Sequence, residues 1–145
     1  MITISKQSNE WETPKRFFRI LDRIIGYDLD PCATRENAKC KHYFTKENNG
    51  LRQEWHGCVF MNPPFSDIYS WVKKAYEELD NMDGITMLLP ARVDSKWFFD
   101  FILPNLDKNT RIEFKRGRFH FSESRNSAPF ACFIIQVSKG MKSSW

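Results

Sequence analysis

A four-residue motif, Asn62-Pro63-Pro64-Phe65, follows directly after the apolar run 58–61. The apolar run predicts a short buried strand, because it contains β-forming residues and stops at a structure-breaking residue. The two prolines lack amide donors and have fixed φ angles, so neither a helix nor a strand ladder can continue through them. We therefore expect the Asn62 amide to be held rigidly at the carboxyl end of a strand, the edge where open α/β sheets bind ligands.

This motif suits the recognition of a flat amino group. The side-chain oxygen of Asn62 and the main-chain carbonyl of Pro63 could each accept a hydrogen bond from an NH₂ group placed between them. The Phe65 ring could stack on the plane that carries this amino group, as aromatic side chains do on unpaired bases. An ordinary turn is the alternative, because Asn-Pro and Pro-Pro pairs are common in loops.

A second polar residue before a proline, Asp30, ends the short predicted strand 27–30. Because the carboxyl ends of parallel strands face the same rim, we expect Asp30 and Asn62 to lie near each other. The Asp30 carboxylate could accept hydrogen bonds or bind a cationic group there, although Asp-Pro is also common in turns. Thr13 and Pro14 are predicted to begin a helix, with the Thr13 hydroxyl as its cap and only secondarily a ligand contact.

Helices and strands alternate around these motifs. Two amphipathic helices are predicted from apolar residues at helical spacing: Phe17, Ile20, Leu21, Ile24 and Ile25 in the first, and Ile68, Trp71, Val72, Ala75, Tyr76 and Leu79 in the second. A third helix, capped by Asp94 or Ser95, carries Trp97, Phe98, Phe101 and Ile102. Further strands are predicted over 85–89, 111–121 and 130–137. The fold class is therefore α/β, with a mostly parallel sheet, an antiparallel edge strand and helices on both faces.

Length and composition exclude several classes of protein. The 145 residues fit one domain, and 41% hydrophobic with 28% charged residues is an ordinary balance for a globular chain. No apolar stretch approaches the roughly 20 residues that cross a bilayer, and the N-terminus lacks a signal-peptide pattern. We therefore expect a cytoplasmic protein without membrane contact. The four cysteines and three histidines have no metal-ligand spacing, so no metal site and only reduced thiols are expected.

The net charge of +4 is concentrated in one stretch of the chain. Its cations are interleaved with Phe114, Phe119 and Phe121, and they are Lys108, Arg111, Lys115, Arg116, Arg118 and Arg125. A basic stretch with aromatic residues indicates contact with nucleic acid. The solvated face of a hairpin is an equally good interpretation.

Three segments, in this order, resemble S-adenosylmethionine-dependent amino-group methyltransferases: Trp11-Glu12-Thr13-Pro14, Asp28-Leu29-Asp30-Pro31-Cys32-Ala33 and Asn62-Pro63-Pro64-Phe65. More closely, the chain resembles the compact phage-type DNA N-6-adenine methyltransferases over nearly its full length. Further shared segments are Asn37 to Cys40, Gly50-Leu51 with Trp55, Leu88 to Arg92 with Trp97-Phe98, Gly117 to Phe121, and Ala128-Pro129. The resemblance implies a single catalytic domain over residues 1–145 with a Rossmann-like methyltransferase fold, encoded by a phage or prophage and acting in the bacterial cytoplasm.

The resemblance also implies roles for individual residues. Asn62 and the Pro63 carbonyl would hold N6 of a flipped-out adenine in DNA, Phe65 would stack on its ring, and Pro64 completes the catalytic motif. The pocket of S-adenosylmethionine would be lined by Trp11, Thr13, Pro14, Asp30, Pro31, Cys32 and Ala33. Glu47 and Asn49 are candidates for the adenine side of this methyl donor. The implied mechanism is direct in-line transfer from the sulfonium to N6, without a covalent enzyme intermediate.

Two departures from the wider relatives affect these expectations. Glycines usually follow the Asp-Pro-Cys-Ala-like segment, but here Thr34-Arg35-Glu36-Asn37 follows, so the pocket wall must be built differently. No separate target-recognition domain fits, so site-specific or relaxed base specificity would rest on loops 91–97 or 115–129, or on the second subunit of a homodimer. The same fold could instead methylate RNA adenine, cytosine N4 or protein glutamine, or the chain could be a catalytically silent nucleic-acid-binding module.

Overall fold

A computed structural model of the chain describes residues 13–114 and 130–139, which form one mixed α/β arrangement around a six-stranded sheet. The strands are β1 (Leu29–Asp30), β2 (His42–Tyr43), β3 (Gly57–Met61), β4 (Met82–Pro90), β5 (Thr110–Phe114) and β6 (Cys132–Val137). The helices are α1 (Lys15–Ile25), α2 (Ile68–Glu77) and a π-helix (Phe98–Ile102), with short 3₁₀ turns at Gly50–Arg52, Phe65–Asp67, Leu79–Asn81 and Leu103–Asn105.

The strand order is β2-β1-β3-β4-β6-β5, and the first four strands run parallel. This confirms the prediction of a mostly parallel sheet. The final pair of strands forms the predicted antiparallel edge, because the edge strand β5 pairs antiparallel with β6. The strand reversed against the parallel strands is β6, which lies one position inside the edge. All six residues of β6 are buried, whereas β5 is mostly half-exposed, so the more apolar strand occupies the covered position.

Other strands differ from the prediction in length. The predicted strand 27–30 is ordered as a strand only over β1, and β2 was not predicted, since two residues carry no periodic signal. The predicted strand 85–89 begins earlier, at Met82, and includes Pro90. For the predicted strand 111–121, residues 115–121 lie outside the described residues.

Alternation along the central strands gives the sheet two apolar faces, and each is covered by a helix. On one face, Phe60, Leu88 and Ile134 pack with Phe18 of α1. On the other face, alternate residues of the same strands pack with α2 and the π-helix: Val59, Met61, Met87, Leu89, Phe133 and Ile135 against Trp71, Val72, Ala75, Phe98 and Ile102. Helices on both faces are therefore confirmed.

The predicted buried stripe of α1 is confirmed at Phe17 and Leu21, which pack against the cluster around Phe60, and is wrong at Ile20 and Ile24. Ile20 and Ile24 are 53% and 78% exposed, whereas Phe18 is only 6% exposed. The edge of the Phe18 ring packs on Phe60, with the ring centres 5.1 Å apart, and this contact sets which face of the helix is buried. The stripe predicted for α2 is confirmed at its four buried positions, Ile68, Trp71, Val72 and Ala75.

The predicted third helix is present as a π-helix rather than an α-helix. Ser95 precedes the first helical residues, 96–97, where its hydroxyl accepts a hydrogen bond from the Phe98 amide at 3.3 Å and donates one to the Arg92 carbonyl at 2.7 Å. The π-helix itself follows Trp97 and has no side-chain cap. In the described ranges, no helix is both long and apolar enough to cross a membrane.

Candidate active site

A cavity of about 970 Å³ lies at the carboxyl ends of β1, β2 and β3. This volume is at the upper end of the range for small-molecule sites, about 300–1,000 Å³. Its lining includes Thr13, residues 30–37, residues 45–50, Asn62 and Pro64, together with Lys39, Tyr43 and Trp71. The structure thus brings seven of the predicted donor-site residues to one cavity with Asn62: Thr13, Asp30, Pro31, Cys32, Ala33, Glu47 and Asn49.

Asn62 connects three segments of the chain. Its side-chain Nδ2 donates a hydrogen bond to Oγ1 of Thr13 at 3.0 Å, and its main-chain carbonyl accepts one from Sγ of Cys32 at 3.3 Å. Because Nδ2 points to Thr13, the acceptor atom Oδ1 lies on the opposite edge of the amide. Asn62 is therefore tied through its side chain to the start of α1 and through its main chain to the segment after β1.

The prediction that the Thr13 hydroxyl caps α1 is wrong. The helix has Pro14 in the N-cap position and no side-chain cap, and its first main-chain bond runs from the Phe18 amide to the Pro14 carbonyl at 3.1 Å. Thr13 is 4% exposed, and its hydroxyl is engaged by Asn62 instead. A tertiary contact between residues 49 positions apart has replaced the local cap.

Asp30 places a buried carboxyl group on the cavity wall. Its Oδ2 accepts a hydrogen bond from the Lys39 amide at 3.2 Å, and the side chain is almost fully enclosed. Burial raises the pKa of Asp30 from its ordinary 3.8 to about 6, while hydrogen bonds from the Lys39 and Cys32 amides oppose this rise. At neutral pH the cavity therefore contains a carboxylate, which favours a ligand with a positive charge.

The neighbouring thiol of Cys32 is held in its neutral form. Burial raises the pKa of Cys32 well above its ordinary value, and the Asp30 charge adds to this effect. A protonated thiol can donate the observed hydrogen bond to the Asn62 carbonyl.

Gly50 brings its backbone close to that of Pro31 in the cavity wall, and no role was predicted for it from the sequence. A Cβ atom at Gly50 would lie 2.1 Å from the Pro31 carbonyl oxygen, so a side chain cannot be accommodated without moving the backbone. The indole Nε1 of the fully buried Trp55 donates a hydrogen bond to the Gly50 carbonyl at 2.9 Å. Trp55 in turn stacks on Trp71, with the ring centres 6.1 Å apart.

Two turns of similar sequence form the wall of the cavity. This is the wall that was expected to be built differently from that of the wider relatives. Thr34-Arg35-Glu36-Asn37 follows β1, and Thr45-Lys46-Glu47-Asn48 follows β2. The first turn is closed by the Thr34 amide donating to Asn37 Oδ1 at 2.7 Å, and by the Asn37 amide donating to Thr34 Oγ1 at 3.1 Å.

The second turn has a similar closure, because the amide and the hydroxyl of Thr45 both donate to Asn48 Oδ1 at 3.1 Å. Glu47 lies in this exposed turn, where a side-chain hydrogen bond from Thr45 is the main cause that lowers the pKa of its carboxyl group. Side-chain hydrogen bonds therefore shape these two turns, neither of which contains a glycine, and the repeated Thr-cation-Glu-Asn sequence is the signal that could have predicted them.

Three further predicted site residues that the structure describes, Pro63, Phe65 and Pro14, are not part of the cavity lining. Pro63 is buried, and Phe65 is 9% exposed with the edge of its ring packed against Phe130, the ring centres being 5.1 Å apart. Pro14 is the N-cap of α1, and Trp11 lies outside the described residues. The stacking role of Phe65 stays a prediction.

The loops predicted to choose the target base are described only in part. In loop 91–97, Nζ of Lys96 lies 5.0 Å from the ring centre of Tyr69. Loop 115–129 lies outside the described residues, as does most of the basic stretch. The side chain of Arg111 from that stretch pairs with Glu113 at 2.8 Å.

Within residues 13–114 and 130–139, no group of three or more His, Cys, Asp or Glu side chains could hold a metal ion. All four cysteines are thiols.

Comparison with known proteins gives a match over nearly the whole chain. The family model described as DNA N-6-adenine-methyltransferase (Dam) matches residues 2–144. The chain is similar to the DNA N-6-adenine-methyltransferase of Escherichia phage T1, with 38% identity over 61% of this chain and 38% of the phage protein. It is also similar to the DNA N-6-adenine-methyltransferase of Haemophilus phage HP1, with 33% identity over 82% of this chain and 73% of the relative. The match therefore spans well under half of the first relative and nearly three quarters of the second.

Proposed function

Because the chain belongs to the DNA N-6-adenine-methyltransferase (Dam) family, we propose that it transfers a methyl group from S-adenosylmethionine to N6 of adenine in DNA. The observation that carries this proposal is the double attachment of Asn62, whose side chain binds Thr13 while its main chain binds Cys32 on the same cavity. An amide suited to an amino group is thereby fixed at the opening of a pocket large enough for a nucleoside-sized donor. We further propose that the chain has a Rossmann-like methyltransferase fold and that the reaction takes place in a bacterial host.

The lining of the cavity fits S-adenosylmethionine in size and in charge. When bound, this donor supplies an electrophilic methyl group on a positively charged sulfonium. The buried Asp30 carboxylate gives its part of the wall a negative charge that favours such a cation, while the lining as a whole balances three carboxylates with the cations Arg35, Lys39 and Lys46. The amides and hydroxyls of the two turns offer hydrogen bonds to its polar groups, and Trp71 adds an aromatic surface. Glu47 and Asn49 remain our candidates for its adenine side.

Asn62 and Pro63 would orient the acceptor nitrogen. Two carbonyl oxygens that accept hydrogen bonds from an NH₂ group direct its lone pair away from both, so positioning supplies much of the rate enhancement. The same oxygens stabilise the positive charge that grows on nitrogen during transfer. An adenine inside a duplex cannot reach this position, so the base must leave the stack, where Phe65 is our candidate for contact with its ring.

The proposal is tested by incubating the purified protein with labelled S-adenosylmethionine and unmethylated DNA, followed by nucleoside analysis. We expect N6-methyladenine with the wild-type chain and at least a hundredfold less with Asn62→Ala, a loss typical of one essential catalytic contact. Asn81→Ala is the matched control, because Asn81 precedes β4 at the opposite end of the sheet and its Nδ2 donates to Glu78. DNA without methylated adenine after long incubation would overturn the proposal.

Parallel incubations separate the other acceptors that share this chemistry. RNA and a mixture of proteins replace DNA in two further reactions, and the DNA digest is also analysed for N4-methylcytosine. We expect label in DNA adenine at a rate at least tenfold above the other acceptors. Binding of S-adenosylmethionine is measured by calorimetry, and absence of binding would favour a catalytically silent nucleic-acid-binding module.

A further inference from the structure

The outer side of α1 carries three exposed arginines, which we call the arginine face: Arg16, Arg19 and Arg23. Their spacing of i, i+3 and i+7 directs the three side chains from the same side of the helix. Together with Ile20, which is 53% exposed, they line a shallow depression of about 390 Å³. We propose that the arginine face binds the phosphate backbone of the DNA duplex whose adenine enters the cavity. This inference rests on the proposed function.

The arginine face has no ion pair with a carboxylate among the described residues. Elsewhere in this part of the chain cations do pair with carboxylates, as Lys73 does with Glu77 and Lys139 with Asp80. The one acidic residue of α1 is Asp22, whose Oδ1 accepts a hydrogen bond from the Tyr27 amide at 2.7 Å after the helix ends. Because protein surfaces usually intersperse both signs of charge, three arginines without a carboxylate indicate an anionic partner.

The position of Arg16 is unfavourable for the helix itself. The N-terminus of a helix carries a partial positive charge, which favours acidic residues in the first turn. The first turn of α1 has no acidic residue and contains Arg16 instead. Local stability does not explain this choice, whereas a bound phosphate would be stabilised by the helix terminus and by the guanidinium group together.

The direction of α1 places the arginine face beside the cavity. The helix begins two residues after Thr13, which lines the cavity, and leads into the amino end of β1 at the opposite end of the sheet. Arg16 therefore lies within one helical turn of the cavity entrance, and Arg23 lies about 10 Å further along the helix axis. That distance corresponds to about three base steps of a duplex, so the face can contact successive phosphates next to one extruded base.

An anionic membrane would attract the same charges, but α1 offers it little apolar surface. Phe17, Phe18 and Leu21 pack with the cluster on the sheet, and Ile20 and Ile24 are the large apolar side chains of α1 that are exposed. A helix that binds in the membrane interface buries a whole apolar face in lipid, which this one has already used. Guanidinium groups also match phosphate oxygens in a bidentate manner, so DNA is the favoured partner.

A triple variant tests the arginine face by DNA binding, without methylation. Arg16→Gln, Arg19→Gln and Arg23→Gln together remove three charges and keep residues of similar helix propensity. Affinity for a short fluorescent duplex is measured by anisotropy at about 50 and 200 mM salt. We expect at least tenfold weaker binding at the lower salt concentration. The slope of log affinity against log salt should fall by about 2 to 3, since each phosphate contact contributes about 0.9.

Two further variants separate the arginine face from total charge and from folding. The control, Lys41→Gln with Lys73→Gln and Lys139→Gln, removes three exposed lysines that lie before β2, on α2 and after β6. It should bind the duplex within about threefold of the wild type, with the salt slope changed by less than about 1. Replacing the three arginines by lysine keeps the charges and should retain the wild-type salt slope.

Steady-state kinetics show whether the arginine face acts on DNA alone. The triple glutamine variant should have a higher KM for DNA, with kcat at saturating DNA and KM for S-adenosylmethionine within about twofold of the wild type. Wild-type DNA affinity and salt slope in this variant would overturn the inference, as would an equal loss in the lysine control. Loss of binding to vesicles of phosphatidylglycerol and phosphatidylcholine, with DNA affinity unchanged, would also overturn it. A chain that binds DNA through the arginine face but does not methylate it would contradict the proposed function alone.

Discussion

Two regions line the cavity, the corner after β3 and the wall after β1 and β2, and they are held in place by different kinds of contact. The corner after β3 rests on buried groups, with Pro63 and Phe65 packed inside and Asn62 tied by two hydrogen bonds. The wall after β1 and β2 consists of two turns closed by side-chain hydrogen bonds and of Gly50 in close contact with Pro31. Changes in the corner are therefore expected to lower the rate with the fold intact. Changes in the wall are expected to alter donor affinity and stability together.

The largest effect in the wall is expected from Gly50→Ala. The added Cβ would lie 2.1 Å from the Pro31 carbonyl oxygen. Because the Cβ is bonded directly to the backbone and the oxygen belongs to it, the turn must move. We expect a loss of about 3 kcal/mol in the free energy of unfolding and at least tenfold weaker binding of S-adenosylmethionine. Urea unfolding and calorimetry measure the two quantities.

Gly26→Ala is the matched control for this prediction. Gly26 has φ +75° and no atom within 4 Å of the added Cβ, so its substitution strains the backbone far from the cavity. We expect it to cost about 1 kcal/mol of stability with donor binding unchanged. If Gly50→Ala bound the donor as Gly26→Ala does, the close contact would have no role in the site.

Asp30→Asn is expected to change how stability depends on pH. Burial raises the pKa of Asp30 from 3.8 to about 6, so the folded chain holds the proton more tightly than the unfolded chain. The contribution of Asp30 to stability is therefore largest below pH 3.8 and declines as the pH rises to about 6. Removing the charge should stabilise the protein at pH 8 by about 1–3 kcal/mol, because the ionised form is penalised there.

Urea unfolding of the wild type and Asp30→Asn without donor, at pH 4.5 and at pH 8, measures this difference. Subtracting the wild-type values cancels the other titrating groups, since they are common to both chains. An equal difference at both pH values would contradict the prediction. Donor binding, measured separately at pH 8, should weaken in the variant because the negative charge of this part of the wall is lost.

A smaller effect is expected when Trp55 loses its hydrogen bond. Trp55→Phe keeps an aromatic ring in the buried position but leaves the Gly50 carbonyl without the indole donor. We expect a loss of about 2 kcal/mol in the free energy of unfolding and a severalfold weaker binding of the donor. Trp97→Phe is the control, because Trp97 is buried under the sheet away from the cavity lining. Unchanged donor binding in Trp55→Phe would show that the bond stabilises the fold alone.

The smallest effect is expected from opening one turn of the wall. Asn37→Ala removes the oxygen that accepts from the Thr34 amide, and the site is exposed, so water can replace it. We expect about 0.5–1 kcal/mol of lost stability and a twofold to fivefold higher KM for S-adenosylmethionine, with kcat unchanged. Steady-state kinetics at saturating DNA measure both constants. A fall in kcat with constant KM would show that this turn, like the corner after β3, affects the rate rather than the binding of the donor.

The features that were predicted correctly are those that depend on residues close to one another in the sequence. The motif at Asn62 and the strand end at Asp30 are marked by prolines after apolar residues, and both were found at one cavity. The strand β2 was not predicted, since two residues show no alternation. The importance of Gly50 depends on Pro31, which is near in space but 19 positions earlier in the chain.

Where the predictions failed, a distant contact had overruled a local preference. Thr13 has the position of a helix cap, but its hydroxyl bonds to Asn62. The spacing of apolar residues predicted which face of α1 is buried, yet the contact of Phe18 with Phe60 determined the orientation of this helix. Both partners belong to β3 or follow it directly, so neither contact is visible until the sheet is formed.

The neutral state of Cys32 has a consequence for chemical selectivity. Sulfur is a stronger nucleophile than an aromatic amino group once it is ionised, so a thiolate in this cavity would compete with the substrate for the methyl group. Burial raises the pKa of Cys32, so the sulfur stays protonated and the strongly nucleophilic thiolate is not formed, and its S–H donates to the Asn62 carbonyl. If the proposed methyl donor binds in this cavity, the neutral thiol would keep the chain from methylating itself and leave the methyl group for nitrogen.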